Sequence, residues 1–110
     1  MLRTEERLSR AAFAQYFAVG KRTHGTYFTV VYSPAPVFKA AVVVSKKVAK
    51  KAHDRNRLKR QLYHLLAAET QKNPRTGAYL VFVKPGAALL SRAGFRLEFL
   101  NELSRVPNTR

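Results

Sequence analysis

The stretch SKKVAKKAHDRNRLKRQLYHLLAAETQ, residues 45–71, decides how the rest of the chain is read. Its opening, Lys46 to Ala52, is too basic to be buried. From Asp54 to about Gln71 the pattern turns helical, with Asp54 suited to the N-cap. Leu58, Leu62, Leu65 and Leu66 follow the i, i+4, i+7, i+8 spacing of a stripe that faces a core. On the opposite side, Asn56, Arg57, Arg60, Tyr63 and His64 fall within an arc of about 120°. Eight of the fifteen residues from Lys46 to Arg60 are basic: Lys46, Lys47, Lys50, Lys51, Arg55, Arg57, Lys59 and Arg60. Solvated helix faces usually pair such charges with acids, and here Asp54 stands alone. Guanidinium groups fork onto phosphate oxygens, Asn can read a base edge or a sugar hydroxyl, and Tyr offers a stacking face. The pattern is that of an RNA-binding surface anchored from behind by leucines.

Before this helix the chain is strand-like, and before that helical again. Leu8 to Val19 has the composition of a helix, with Ser9 as N-cap and Gly20 in the C′ position. Its apolar residues form two arcs, Leu8, Ala12 and Val19 on one and Phe13 and Phe17 on the other. One arc must face the core, and the other needs a different explanation. Thr26 to Tyr32 is β-branched and aromatic and ends at the turn Ser33-Pro34-Ala35-Pro36. Val37 to Val44 supplies a second run, and the short connection predicts an antiparallel pair. Lys21 to His24 is read as a short edge strand, a place its two charges suit.

After the helix, residues 72–77 form a loop, and Tyr79 to Val83 is almost wholly apolar, as a central strand would be. Lys84-Pro85-Gly86 ends it. A last helix runs from about Arg92 to Arg105, with Phe99, Leu103 and Val106 at helical spacing. The predicted order is α-β-β-β-α-β-α, an α+β chain forming one domain over residues 1–110.

Charge narrows the function. The 110 residues carry 21 Lys and Arg against 6 Asp and Glu, a formal net charge of +15. Self-repulsion of this size adds nothing to stability and implies a polyanionic partner. No run of about 18 apolar residues exists, so a membrane-spanning helix is not expected. The N-terminus MLRTEERLSR lacks the continuous apolar core of a secretory signal, and there is no cysteine for a disulfide or a Cys-based zinc site. These features predict a cytoplasmic protein.

Ser45-Lys46-Lys47-Val48, then Lys51-Ala52, then Arg55-Asn56-Arg57-Leu58-Lys59-Arg60 resembles the signature of the bacterial ribonuclease P protein subunit. In that family an S-K-K segment leaves a strand and an R-N-R-x-K-R motif opens the following helix. The early Phe13 and Phe17, then Gly20-Lys21, and the late strand ending Lys84-Pro85 fall in the family's order, so the likeness covers nearly the whole chain. Asp54 departs from it, since the family more often has an apolar or small residue there. The resemblance implies a two-layer α/β sandwich with a four-stranded mixed sheet, and a left-handed β-α-β crossover through the helix of the motif. Physical base rates alone favour the right-handed form. It also implies partners: a large catalytic RNA and precursor tRNA, from which the complex removes the 5′ leader. No obligate protein partner is inferred. A ribosomal or other structural RNA-binding protein would share the size and charge, and only the motif separates the two.

A cutting site in the protein itself is not expected. Metal-assisted cleavage needs several converging carboxylates, and the chain offers only Glu5, Glu6, Asp54, Glu69, Glu98 and Glu102. Glu98 and Glu102, at i and i+4, are read as a surface pair. His53 and His64 stand about 16 Å apart along a helix, too far to share a phosphate, and nothing pairs with His24. No catalytic or metal-ligating residue is therefore assigned, and Mg²⁺ is expected to be bound mainly by the RNA, which performs the hydrolysis in the family. The RNA-binding residues are taken as Lys46, Lys47, Lys50, Lys51, Arg55, Asn56, Arg57, Lys59, Arg60 and His64. By resemblance, Phe13 and Phe17 border a cleft against the sheet, through which a single-stranded leader runs and stacks with little sequence preference. Tyr27, Phe28 and Tyr32 alternate, so one face of their strand is core and the other exposed. Alternation does not say which ring lies where, and Tyr32 is counted with the cleft.

Overall fold

In the computed structural model, which describes residues 7–106, the elements run α1 (Arg10–Val19), β1 (Lys21–His24), β2 (Phe28–Ser33), β3 (Phe38–Val43), α2 (Ala52–Lys72), β4 (Gly77–Val83), a 3-10 turn (Ala87–Leu89) and α3 (Arg92–Ser104). The order α-β-β-β-α-β-α is the predicted one. The four strands form a single mixed sheet in the order β1-β2-β4-β3.

One pairing differs from expectation. β2 and β3 are not neighbours: β4 lies between them, antiparallel to β2 and parallel to β3. Two features explain the insertion. β4 reads GAYLVFV and is buried almost throughout, so it belongs at the centre of the sheet. The link between β2 and β3 contains Pro34 and Pro36, which resist a tight hairpin. An extended link of this length spans the roughly 10 Å between strands that flank a third. The β3–α2–β4 unit is thus a crossover between parallel neighbours. β1 sits at the edge, antiparallel to β2, where its charges meet solvent.

Both faces of the sheet are covered. On one, Phe28, Val30 and Tyr32 of β2, Ala40 and Val42 of β3, and Tyr79, Val81 and Val83 of β4 pack against Leu58, Leu62 and Leu66 of α2 and Phe95, Phe99 and Leu103 of α3. Phe28 meets Phe95 and Phe99 edge-on, with ring centroids 5.3 and 5.4 Å away. On the other face Val31, Ala78 and Leu80 are covered by Leu8, Phe13 and Tyr16, from α1 and the residues before it. This is why every residue of β2 is buried, where alternation predicted one open face.

The helix boundaries show which local signals act. The Ser9 hydroxyl accepts from the Ala12 N–H and caps α1. Gly20 ends that helix with φ −72°, so its role is close approach, since a Cβ there would collide with Val31. The two-arc reading of α1 is corrected: Leu8, Phe13 and Tyr16 face the sheet, whereas Val19 is 71% exposed. α2 starts two residues before the predicted point, with Lys51 at the cap position and Asp54 inside the first turn, where its charge complements the helix N-terminus. Gly77 opens β4 at φ +111°, against the Tyr32 ring, where a side chain has neither the backbone geometry nor the room.

Candidate RNA interface

The basic loop follows directly from the sheet. β3 runs out into Ser45, whose carbonyl accepts from Val48 N–H at 3.1 Å and closes a turn that leaves Lys46, Lys47, Lys50 and Lys51 exposed. Arg55 holds this turn in place. Its Nη1 donates to the Ala49 and Lys50 carbonyls at 3.1 and 2.7 Å, so the guanidinium braces the loop from within. Arg55, expected among the RNA-binding residues, thus also shapes the loop that presents the lysines.

The outward arc predicted for α2 is divided by the fold. Leu58, Leu62 and Leu66 are buried, Leu65 is half-buried, and Asn56, Arg57, Arg60 and His64 are exposed as expected. Tyr63 is half-buried at the sheet edge, where its hydroxyl accepts from the Val42 N–H at 3.2 Å. The Arg7 guanidinium lies 4.7 Å over its ring, so that stacking face is already occupied. Lys59 is half-buried on the same flank. Arg57, Arg60 and His64 turn the other way, toward α3, where Arg92 and Arg96 face them across a groove. Those two α3 arginines were not singled out in the sequence. Their i, i+4 spacing was the available signal.

The aromatic cleft lies on the α1 face. Phe13 and Phe17 stack at 6.1 Å with planes 8° apart, and Phe82 of β4 approaches both, at 6.0 and 5.7 Å. The Arg22 guanidinium from β1 sits 4.5 Å over the Phe17 ring. Phe17 remains 37% exposed, so its ring has surface to offer. Phe82 was the residue missed: in a strand apolar at every position, nothing local tells a core ring from a cleft ring. Tyr32, counted with the cleft, is corrected to the core. It is 5% exposed on the α2 face, 5.1 Å from the Tyr79 ring, because β2 register sends Phe28, Val30 and Tyr32 to one side.

Pairing places the cleft beside the basic loop. Val43, Phe82, Thr29 and His24 are cross-strand neighbours in one row over four strands. The Thr29 hydroxyl is 3.3 Å from His24 Nδ1. β3 passes from Val43 straight to Ser45 and Lys46, so the aromatic rings and the lysines share one end of the sheet.

Carboxylates are arranged for structure. Glu102 is 4% exposed and lies against Gly25 in the β1–β2 turn, with Oε1 3.7 Å from Arg105. Its reading as half of a surface pair with Glu98 is corrected, since α3 turns this position inward with Phe99 and Leu103. Among the described residues, no three His, Asp or Glu side chains come close enough to hold a metal ion. No helix among them is long and apolar enough to cross a membrane.

An α+β sheet with a basic helix on one face and an aromatic cleft on the other is the arrangement of an RNA-binding protein. Comparison makes this specific. Residues 1–106 match the family described as Ribonuclease P. The ribonuclease P protein component of Acidothermus cellulolyticus is 33% identical over 115 aligned positions, covering 100% of this chain and 95% of that protein. That of Microcystis aeruginosa is 32% identical over 85 positions, covering 71% and 70%. The solved ribonuclease P protein of Thermotoga maritima superposes with a TM-score of 0.82 at 25% identity, covering 94% of this chain and 99% of that one. A Staphylococcus aureus counterpart gives 0.80 at 19%, covering 90% and 93%. The chain belongs to the ribonuclease P protein family, the protein components of a ribonucleoprotein endoribonuclease that processes the 5′ leader of tRNA, and it associates with ribonuclease P RNA. This membership decides between the two RNA-binding classes that size and charge left open.

Proposed function

We propose that the two faces divide the work of the holoenzyme. The basic loop and the exposed side of α2, through Lys46, Lys47, Lys50, Lys51, Asn56, Arg57, Arg60 and His64, hold ribonuclease P RNA. The cleft of Phe13, Phe17 and Phe82 takes the single-stranded 5′ leader of precursor tRNA, whose bases stack on the rings whatever their sequence. The observation that carries this reading is the shared end of the sheet: Phe82 of the cleft pairs with Val43, three residues before Lys46. A leader threaded over the rings therefore passes directly to phosphate-binding cations. Mg²⁺ arrives with the RNA, which carries out hydrolysis, and the protein neutralises phosphate charge so that two polyanions can approach. The setting is cytoplasmic, in keeping with a chain built to meet RNA.

The test is processing of precursor tRNA in Mg²⁺ by the protein alone, by the RNA alone and by both, with wild type and with Arg57→Ala and Arg60→Ala. Leader removal should require the RNA. Each arginine variant should weaken assembly and reduce the salt slope by about 1 with little change in melting temperature. Cleavage by the protein alone would overturn the division of labour. A collapse in melting temperature would make these arginines structural.

A further inference from the structure

We propose that the groove between α2 and α3 is a pocket for one unstacked nucleotide of ribonuclease P RNA. The inference rests on the RNA-binding role of the α2 face and adds to it a shaped site that includes α3. The cavity measures about 840 Å³, within the roughly 300–1,000 Å³ common for small-ligand sites. Four arginines line it, Arg57 and Arg60 from α2 and Arg92 and Arg96 from α3, and no Asp or Glu does. Gathering four like charges around one cavity, in a chain already at +15, is unfavourable until an anion enters. The first turn of α3 opens on the same space and adds the partial positive charge of a helix N-terminus.

The floor argues for more than a phosphate. Leu65 of α2 and Leu90, just before α3, are half-buried and present apolar surface between the arginines. A bare phosphate gains nothing from such a floor, and the backbone of a duplex is convex and cannot enter. A nucleotide splayed from its strand meets both demands: its phosphate lies among guanidinium groups and its base covers the leucines, with an arginine plane free to stack on it. Gln61 and His64 also line the groove and supply hydrogen-bonding groups for a base edge.

Two measurements test this. In an NMR titration of the folded protein, AMP should bind about tenfold more tightly than inorganic phosphate or ribose 5-phosphate and should shift the Leu65 and Leu90 methyl signals. Equal affinity for all three, or shifts confined to arginines, overturns the nucleotide pocket. Separately, the Arg92→Ala/Arg96→Ala double variant should lower affinity for the cognate RNA about tenfold and cut the salt slope by about 2, with an unchanged circular dichroism spectrum. If it binds RNA like wild type while Arg57→Ala and Arg60→Ala remain impaired, the pocket fails and the RNA-binding role of α2 stands. If none of the variants is impaired, the α2 reading falls as well.

Discussion

Phe28, Tyr32 and Tyr79 on one face of the sheet and Phe13, Phe17 and Phe82 on the other are chemically alike, yet the first three are sealed and the second three surround a cleft. Coverage makes the difference. Two helices, one of 21 residues and one of 13, close over the first face and bring leucines between the rings. Among the described residues the other face has one 10-residue helix with no fully buried residue, and it leaves Ala41 and Val43 of β3 half-buried. No second helix among the described residues covers the aromatic surface there, which keeps Phe17 partly exposed. One side of the sheet holds the protein together, and the other can be spent on recognition without loss of the core.

The largest expected effect breaks the closed side. Leu62 has no exposed surface, and Leu62→Ala should cost about 2–5 kcal/mol. Thermal unfolding would show it, and RNA binding should fall with folding. On the open side, Phe17→Ala should weaken binding of leader-bearing precursor tRNA by about 1–3 kcal/mol while mature tRNA and the melting temperature are little affected. Equal losses for both substrates would remove the cleft from leader binding. A smaller effect is expected at the seam between α2 and β3. Tyr63→Phe removes the acceptor for the Val42 N–H, and should cost about 1 kcal/mol.

The smallest effect concerns pH. Burial pushes the Tyr79 phenol above its ordinary 10.0, outweighing the nearby Arg75, which lowers it. The folded state therefore keeps this proton more tightly than the unfolded state. Stability from this source is complete below pH 10 and is lost as pH rises through the raised value. Tyr79→Phe should lose less melting temperature between neutral and alkaline solution than wild type does. Identical losses would mean that the folded state holds the Tyr79 proton no more tightly than the unfolded chain does.

What the chain declares locally and what it leaves to assembly separate cleanly along these lines. The leucine stripe of α2, the Ser9 cap, the edge character of β1 and the central character of β4 are properties of short segments, and each was legible in residue order. So was the exposed basic loop, because desolvating four lysines has no local remedy.

Three things were not legible, and each depends on a partner far away in sequence. The neighbours of β2 and β3 were decided by β4, which arrives more than thirty residues later and takes the central place for its apolar surface. The side on which Tyr32 and Phe82 fall was decided by register across the sheet, since period-two alternation gives two faces without naming them. The inward turn of Arg55 and the α3 wall of the groove came from loop and helix packing that spacing does not encode. Sequence by itself determined that this protein binds RNA and which helix presents the arginines. Only the tertiary structure decided which rings form a cleft and which arginines share a groove, because both are relations between surfaces that meet only when the core closes.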